Sequence, residues 1–370
     1  MNTNSSDNIS PGSLDKLAAD AIILLKELIA IPSFSREEID TADILENFLK
    51  QHNIVPNRIF NNIWAKTKNY DSTKPTLLLN SHHDTVKPNT GYTLDPFEPV
   101  EKDGKLFGLG SNDAGGCLVS LLSVFLYFLD KECPFNIIFA ASTEEEISGK
   151  NGMEALLPTL PSIDFAIVGE PTKMQMAVAE KGLMVLDCKN TGAAGHAARD
   201  EGENAIYKAL KDINWFQEFQ FPKVSEFLGP VHMSVTSIET PNKAHNMVPD
   251  ICTFIVDIRA NELHTFEDIL QTIRENVKSE VVPRSVRLKP SGISTLHPLV
   301  MAGTKLGLVS YGSPTLSDMA LMPFPALKIG PGDSARSHTA DEYIFTEEIK
   351  KGIETYIALI QNLKVELENS

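Results

Sequence analysis

The length, composition and charge of this chain narrow the classes of protein to which it can belong. With 370 residues, 42% hydrophobic and 22% charged, it is long enough for two globular domains and typical of soluble proteins. Its net charge of −16 argues against nucleic acid or an anionic membrane as a partner, because both attract basic surfaces. An anionic substrate would need a local cluster of basic residues, because the overall charge repels it.

The cysteine pattern and the amino-terminal residues predict a protein of a reducing compartment. The four cysteines form no Cys-x-x-Cys pair, and three lie in apolar runs, so we expect buried free thiols. Residues 1–13 lack the basic and apolar segments of a secretory signal. The apolar run 117–129 is shorter than the ~20 residues of a membrane span. We therefore expect a cytoplasmic protein.

The first half of the chain predicts an α/β layer with a mostly parallel sheet. Apolar residues at helical spacing span 18–31, and Ser35 precedes Glu38 in the pattern of a capping box for a second helix at 42–49. A further helix is predicted at 116–129. Short apolar runs bounded by turn residues predict strands at 76–79, 136–141 and 165–168. Strands that alternate with helices indicate a parallel sheet.

From about residue 180 the pattern changes to that of a small α+β domain. We predict, in chain order, a strand at 183–189, a helix at 204–219, strands at 231–238 and 252–259, a helix at 265–277 and a strand at 286–290. This β-α-β-β-α-β order is the split βαβ, or ferredoxin-like, arrangement. The simplest architecture is a catalytic domain of residues 1–179 and 292–370, with a sheet sandwiched by helices, and an inserted domain of residues 180–291.

Acidic and imidazole side chains recur in short motifs, several of which directly follow predicted strands. The motifs are Ser81-His82-His83-Asp84, Gly108-Leu109-Gly110-Ser111-Asn112-Asp113, Glu144-Glu145-Glu146, Gly169-Glu170-Pro171-Thr172 and Arg336-Ser337-His338. Residues at the carboxyl ends of parallel strands collect at one edge of the sheet. Two histidines and three carboxylates can hold two Zn²⁺-like ions if one carboxylate bridges them, and Glu145 would then be free to act as a general base. The set predicts metal-assisted hydrolysis.

Local chemistry explains why these residue types suit a metal site. Asp84 lies two residues after His82 and can accept the second ring N–H of a metal-bound imidazole, whereas His83 points the other way. Asp113 lies on a Gly-flanked turn that two cations can approach. Taken singly, the motifs also fit an exposed histidine, a helix-capping aspartate or a solvated acidic turn. Only their combination and order are specific.

In chain order, the motifs resemble the M20 family of dinuclear zinc peptidases and deacylases, over about residues 75–345. The resemblance implies two divalent metal ions, zinc or cobalt, with these ligands: His82, Asp113 and Glu170 for one ion, and Asp113, Glu146 and His338 for the other. It further implies that Asp84 orients His82. Glu145 would activate the bridging water and later protonate the leaving amine.

The inserted domain carries further segments that resemble this family. Gly192-Ala193-Ala194-Gly195-His196-Ala197 is similar to a segment whose histidine reaches into the partner subunit's site and stabilises the oxyanion. Two other segments are similar to those that supply a polar Asn246 and a substrate-carboxylate-binding Arg259. The resemblance thus implies a homodimer, with residues 180–291 as its dimerisation (lid) domain. From the residues alone, we would interpret His196 as a helix-start or turn histidine and Arg259 as a surface charge at the end of a strand.

Within the family, the spacing looks most similar to the acetylornithine and acetylcitrulline deacetylases of arginine biosynthesis. Our first hypothesis is therefore hydrolysis of an N-acyl-amino acid of that kind. The alternative removes a succinyl group from succinyl-ornithine, succinyl-citrulline or succinyl-diaminopimelate. A succinyl tail would need a further cation, for which Arg199, Lys243 and Arg336 are candidates. A dipeptidase is a third possibility. A metal-free homologue or a closed structural zinc site fits poorly, because every ligand and Glu145 are present and no cysteine lies in a ligand motif.

Overall fold

The computed structural model describes residues 9–199 and 201–368, which fold into two compact units. The first unit comprises Met1–Val178, Gly292–Tyr311 and Ser317–Ser370, and the second comprises Ala179–Ser291 and Gly312–Leu316. These bounds differ from the sequence-based division, 1–179 and 292–370 around 180–291, by residue 179 and by residues 312–316.

The helices and strands are numbered in chain order through the described residues. Helices α1 to α8 are Pro11–Ile29, Ile39–Gln51, Gly116–Phe128, Met153–Leu156, Ala205–Glu218, Phe266–Asn276, Pro298–Lys305 and Thr346–Glu368. Strands β1 to β18 are Asn57–Ile59, Asn62–Lys66, Thr76–His82, Val100–Lys102, Lys105–Phe107, Asn136–Ser142, Phe165–Val168, Met176–Glu180, Gly182–Thr191, Gly195–His196, His232–Glu239, Met247–Val248, Ile251–Ala260, Glu280–Pro283, Ser291–Gly292, Ser310–Ser313, Ala326–Lys328 and Tyr343–Phe345.

The first unit is built on a mixed sheet whose central strands are parallel. The strand order runs β1-β2-β6-β3-β7-β17-β8. The pairs β6–β3, β3–β7 and β7–β17 are parallel, whereas β1, β2 and β8 pair in antiparallel fashion. Every residue of β3 and β6 is buried, as expected for strands covered on both faces.

Helices cover both faces of this sheet. On one face α3 packs on β3 and β6 and is itself covered by α1 and α8. On the other face, α4 contributes Met153 and Leu156 to a buried cluster with Leu78 and Ile138 from the sheet. The predicted α/β fold class, a sheet sandwiched by helices, is confirmed, with parallel strands at the centre of the sheet and antiparallel strands at its edges.

The two amino-terminal helices begin at other residues than predicted. Helix α1 starts at Pro11 instead of residue 18, because Ser10 caps it by accepting the Ser13 N–H at 3.3 Å. Helix α2 starts at Ile39, and the side chain of its N-cap residue, Glu38, forms no capping hydrogen bond with the described residues of the helix. The predicted capping box is therefore wrong, and Ser35 bonds elsewhere, as shown below.

The second unit has the predicted β-α-β-β-α-β order, in β9, α5, β11, β13, α6 and β14. Its antiparallel sheet runs β11-β13-β9-β14. Burial alternates along β9 and β13, which places one face of the sheet against α5 and α6. The core between them is apolar, with Phe216, Phe254 and Ile269 among its buried side chains.

The last strand of this unit lies earlier in the chain than predicted. Strand β14 is Glu280–Pro283, whereas the sequence indicated residues 286–290. The two runs have similar strand-like patterns. Pairing with β9 directs Val281 into the core, where it is 7% exposed, while Val286 remains 39% exposed. Packing against β9 therefore determines that residues 280–283, and not 286–290, form the strand.

The apolar segments noted in the sequence lie in the interior. Among the described residues one helical segment, Ser111–Phe128, is long and apolar enough to cross a membrane by length and composition, and 78% of it is buried within the protein. The four cysteines are free: Cys117, Cys188 and Cys252 are buried, and Cys133 is half-buried.

Candidate metal centre

The carboxyl ends of the four parallel strands present most of the predicted ligand residues. Strand β3 ends on His82, and β6 leads into the 3₁₀ turn Glu145–Ile147. Glu170 follows β7, and the loop after β17 carries His338. Because adjacent parallel strands end at the same edge, residues far apart in sequence meet there.

The carboxylate of Asp113 faces both histidines. Its Oδ1 lies 3.4 Å from Nε2 of His82, and its Oδ2 lies 3.7 Å from Nε2 of His338. His82 Nε2 is also 3.8 Å from Glu170 Oε1, and His338 Nε2 is 2.9 Å from Glu146 Oε2. One oxygen for each histidine is the arrangement that a bridging carboxylate needs.

The chemistry of this cluster fits divalent cations. Nε2 of His82 is buried and has no hydrogen-bond partner among the residues that the structure describes, although carboxylates surround it. Potential ligand atoms of His82, Glu145 and Glu170 lie within 4.8 Å of one another, as do those of His82, Asp113 and Glu146. Imidazole and carboxylate donors at this spacing suit Zn²⁺, Co²⁺ or Mn²⁺.

The pKa values of the cluster also indicate an excess of negative charge that bound cations would neutralise. Burial lowers the pKa of His82, but the carboxylates of Asp113 and Asp84 outweigh burial and raise it well above its usual range. Burial raises the pKa of Glu145 well above its usual range; His82 opposes this, and the Glu170 carboxylate adds to it. Bound cations would neutralise the charge that produces these shifts.

Asp84 contacts His82 differently from the prediction. The ring Nδ1 of His82 lies 3.0 Å from the backbone carbonyl oxygen of Asp84 and 3.4 Å from its carboxylate. The carboxylate instead accepts hydrogen bonds from Ser35 Oγ at 2.6 Å, Glu145 N at 3.1 Å and Glu146 N at 3.3 Å. Asp84 thus holds the histidine through its backbone and the acidic turn through its side chain.

A second buried carboxylate completes the support of the acidic turn. Glu38 is 1% exposed and accepts hydrogen bonds from Arg36 N at 2.6 Å, Asn61 Nδ2 at 3.1 Å and Glu144 N at 3.3 Å. Together Glu38 and Asp84 receive the N–H groups of residues 144, 145 and 146. The backbone of this turn is therefore fixed independently of its own side chains.

Two residues of the motifs have structural roles. The ring of His83 lies 3.0 Å from Thr41 Oγ1 and 3.0 Å from the carbonyl oxygen of Asn61, and burial lowers its pKa to about 4. Glu144 accepts a hydrogen bond from Asn151 Nδ2 at 2.8 Å. His83 does point away from the cluster, as its position in the strand predicted.

Arg336, which precedes His338, is engaged within its own unit. Its guanidinium forms a bidentate pair with Glu348, at 2.7 and 2.9 Å, and lies 4.8 Å from the ring centre of Tyr343. These contacts anchor the loop that carries His338. They also occupy the guanidinium that the sequence offered as a partner for a succinyl carboxylate.

The second unit contains the three residues predicted to contact the substrate or the oxyanion. His196 in β10 pairs with Met247 of β12, next to Asn246, whose carbonyl oxygen accepts the Ala197 N–H at 3.0 Å. His196 is exposed, and its Nδ1 accepts the Ala198 N–H at 3.2 Å.

The remaining residue of this group, Arg259, lies on β13. Its guanidinium bonds to Asp257 at 2.8 and 3.1 Å. The contacts of His196, Asn246 and Arg259 with a substrate remain predictions.

Sequence reasoning missed the residues that support the ligands. Ser35, Glu38 and Glu342 form hydrogen bonds with the ligand-bearing segments across large sequence distances: 49 residues from Ser35 to Asp84, 106 from Glu38 to Glu144 and 229 from Glu342 to Asp113. The one available signal was the pair Asp341-Glu342 close after His338, two acids in a loop otherwise rich in small residues.

Comparison with protein-family models assigns most of the chain to one family. Residues 78–362 match the model of peptidase family M20/M25/M40. Among curated proteins, the chain is 27% identical over 276 residues to succinyl-diaminopimelate desuccinylase of Rickettsia bellii, covering 69% of this chain and 70% of that protein. It is 26% identical over 345 residues to the desuccinylase of Orientia tsutsugamushi, covering 88% and 85%.

Solved structures share the fold at low sequence identity. A dinuclear metal binding peptidase of the M20 family from Bacillus subtilis superimposes with a TM-score of 0.73 at 14% identity, over 96% of this chain and all of that one (100%). An M20 family metallo-carboxypeptidase from Sulfolobus solfataricus gives 0.70 at 16% identity, over 94% and 99%. At these identities the likeness establishes the fold alone. Together with the family match and the ligand cluster, it shows that this chain belongs to peptidase family M20, as a hydrolase with two divalent metal ions.

Proposed function

We propose that this enzyme hydrolyses the amide bond of an N-succinyl amino acid, with succinyl-diaminopimelate as the first candidate substrate. The observation that carries the hydrolytic chemistry is the cluster at the strand ends, in which Asp113 faces both His82 and His338. The acyl group rests on the curated relatives, which are named as succinyl-diaminopimelate desuccinylases. From the sequence alone, removal of a succinyl group was the alternative hypothesis, and the curated relatives favour it over hydrolysis of acetylornithine.

The metal centre would be held by residues that the structure brings together. His82, Asp113 and Glu170 would hold one cation, and Asp113, Glu146 and His338 the other. Divalent cations bound there would act as Lewis acids, which polarise the acyl carbonyl and lower the pKa of water.

Glu145 would move the proton during hydrolysis. It adjoins the ligand Glu146, and one of its carboxylate oxygens lies within 4.8 Å of potential ligand atoms of His82 and Glu170. From there it can take a proton from the attacking water and return it to the leaving nitrogen. Asp84 and Glu38 hold the backbone of this turn, so the carboxylate does not need to reorganise during the reaction.

The second unit would supply substrate contacts. Arg259 would bind a substrate carboxylate bidentately, a geometry that lysine cannot reproduce, and Asn246 would offer a polar contact. His196 would stabilise the oxyanion of the partner subunit in a homodimer. These roles, the dimer and a cytoplasmic location are parts of the proposal.

A second candidate, deacetylation of acetylornithine or acetylcitrulline, is favoured by one observation. A succinyl tail brings a second carboxylate, yet Arg336 is already paired with Glu348. Lys243 donates to the carbonyl oxygen of Thr240, and Arg199 lies 3.9 Å from Glu201. An acetyl group would need none of these cations.

A substrate panel tests the two candidates directly. The enzyme, loaded with Zn²⁺ or Co²⁺, would be incubated with succinyl-diaminopimelate, succinyl-ornithine, succinyl-citrulline, acetylornithine, acetylcitrulline and simple dipeptides. Free amine would be measured with ninhydrin and identified by mass spectrometry. We expect succinyl-diaminopimelate to give the highest kcat/KM, with activity lost in EDTA and restored by metal. Preference for an acetylated substrate would overturn the first candidate in favour of the second.

A further inference from the structure

We infer that Glu342 is a positioning residue of the metal centre, which acts by fixing the turn that presents Asp113. The inference rests on the proposed metal centre but not on the identity of the substrate. Asp113 can face both histidines only if the backbone of its turn holds one position, and the contacts of Glu342 supply that restraint.

The carboxylate of Glu342 collects three N–H groups from one turn. Its Oε1 accepts Asn112 N at 2.8 Å and Asp113 N at 2.9 Å, and its Oε2 accepts Gly110 N at 3.1 Å. Glu342 is 2% exposed, so water does not compete for these bonds. Its own carbonyl oxygen also accepts the Gly108 N–H at 3.0 Å, which ties the two chain segments together on both sides.

The turn cannot satisfy these groups by itself. It is an irregular π-helical turn, Ser111–Gly115, in which Asp113 has φ −117° and ψ 98° and so leaves the helical conformation. The N–H groups of residues 110, 112 and 113 therefore lack helical acceptors and would be buried without partners if Glu342 were removed.

Close packing restricts the turn to one shape. Gly110 has φ +74°, which other residues rarely adopt, and a side chain there would meet Thr85 at 2.5 Å. A Cβ at Gly115 would lie 2.5 Å from the carbonyl oxygen of Gly110. The turn is thus closely packed, and three of its N–H groups depend on the Glu342 carboxylate as their acceptor. A shift of the turn would move both carboxylate oxygens of Asp113 together.

The neighbouring acid, Asp341, serves a different segment. Its carboxylate accepts Thr93 N at 2.8 Å, Thr93 Oγ1 at 2.6 Å and Leu94 N at 3.0 Å. None of these atoms belongs to the Asp113 turn. The two adjacent acids therefore support different segments, and of the two only Glu342 holds the turn of Asp113.

Metal titration of full-length Glu342→Gln protein tests the inference. Glutamine keeps one carbonyl oxygen but presents an NH₂ group where the second oxygen accepted a hydrogen bond, so one of the N–H groups loses its acceptor. Co²⁺ would be titrated into metal-free protein, with visible absorption and bound-metal content as readouts and no substrate present. We expect the Kd to rise about 10–100-fold for both equivalents, since supporting residues of metal ligands have effects of this size.

Glu347→Gln is the matched control. Glu347 lies five residues further on, in the first turn of α8, with its side chain 62% exposed and 4.0 Å from Nζ of Lys351. It should bind Co²⁺ with wild-type affinity and spectrum. If Glu342→Gln lowers the melting temperature but keeps the wild-type Kd and Co²⁺ spectrum, the residue is merely structural and the inference is wrong.

A measurement on the wild-type protein covers the case in which the variant fails to fold. Hydrogen exchange of the metal-free protein, followed at residues 110–113, should show protected amides at Asn112 and Asp113. Exchange at the rate of unstructured amides would mean that Glu342 does not hold the turn, and would overturn the inference. Loss of activity towards the proposed substrates leaves both readouts unaffected, so the two proposals fail separately.

Discussion

The two units hold their candidate functional residues in different ways. In the first unit, ligand residues from four strand ends meet in a largely buried cluster, and buried carboxylates such as Asp84, Glu38 and Glu342 fix the backbone behind them. In the second unit, His196 is exposed and Arg259 is more than a third exposed, and their side-chain partners lie two residues away.

This difference in burial and support suits two different functions, metal binding with proton transfer in the first unit and substrate contact in the second. A rigid, preorganised cluster suits metal binding and proton transfer, which tolerate little displacement. Exposed side chains with local partners can exchange those partners for a substrate at little structural cost. We therefore expect substitutions of the first unit's cluster to change metal content or kcat, and substitutions of Arg259 or Asn246 in the second unit to change substrate binding.

The largest effect is expected for Glu145→Gln. Because the amide side chain cannot accept the proton of water, kcat should fall by about 10²–10⁴-fold. The bound metal should stay at the wild-type level, since the proposed ligands are intact. Steady-state kinetics and elemental analysis on the same sample would check both. A variant with substantial activity would remove Glu145 from the proton-transfer role.

His338→Ala should have the next largest effect. His338 is predicted to bind only the second cation, so the variant should retain one metal equivalent and lose kcat on the order of 10²-fold. Metal content after dialysis provides the test, with His83→Asn as a histidine substitution outside the cluster. Full retention of two equivalents would contradict the assigned ligand set.

Arg259→Ala should act on substrate binding. Loss of a charged hydrogen-bond pair, roughly 1.5–3 kcal/mol, should raise KM about 10–100-fold with metal content unchanged. Arg284→Ala is the matched control, because Arg284, directly after β14, forms a similar pair with Asp187 of β9, at 2.8 and 2.9 Å. Equal effects of the two substitutions would show that Arg259 only stabilises its strand.

Ser35→Ala should have the smallest effect. Removing its hydroxyl deprives Asp84 of one hydrogen bond, typically ~1 kcal/mol, while leaving the bonds from Glu145 and Glu146. We expect kcat to fall several-fold without loss of metal. Ser13→Ala, on an exposed position of α1, should leave kcat unchanged. A wild-type kcat for Ser35→Ala would mean that the remaining two bonds suffice to place Asp84.

Local sequence patterns were enough to predict many of the strands and helices of this protein and the motifs that carry its candidate metal ligands. The strand predicted at 165–168 coincides with β7, and the inserted β-α-β-β-α-β order follows from apolar periodicity and turn residues. The ligand motifs were recognisable because each places an acidic or imidazole residue in a short turn or loop, and several of them directly follow a predicted strand. Such signals lie within a few residues, where propensity and spacing act directly.

Only the tertiary structure decided how those motifs are supported. Ser35 donates a hydrogen bond to Asp84 instead of capping a helix. The last strand of the second unit forms around Val281 instead of at residues 286–290. Glu342 accepts a hydrogen bond from Asp113 N, which is 229 residues away in the sequence. In each case the partner is brought close by packing of the sheet and its helices, and burial then makes the hydrogen bond or apolar contact strong. Sequence periodicity specifies which residues lie on a strand or turn, but the buried environment that selects among their possible partners exists only once the chain has folded.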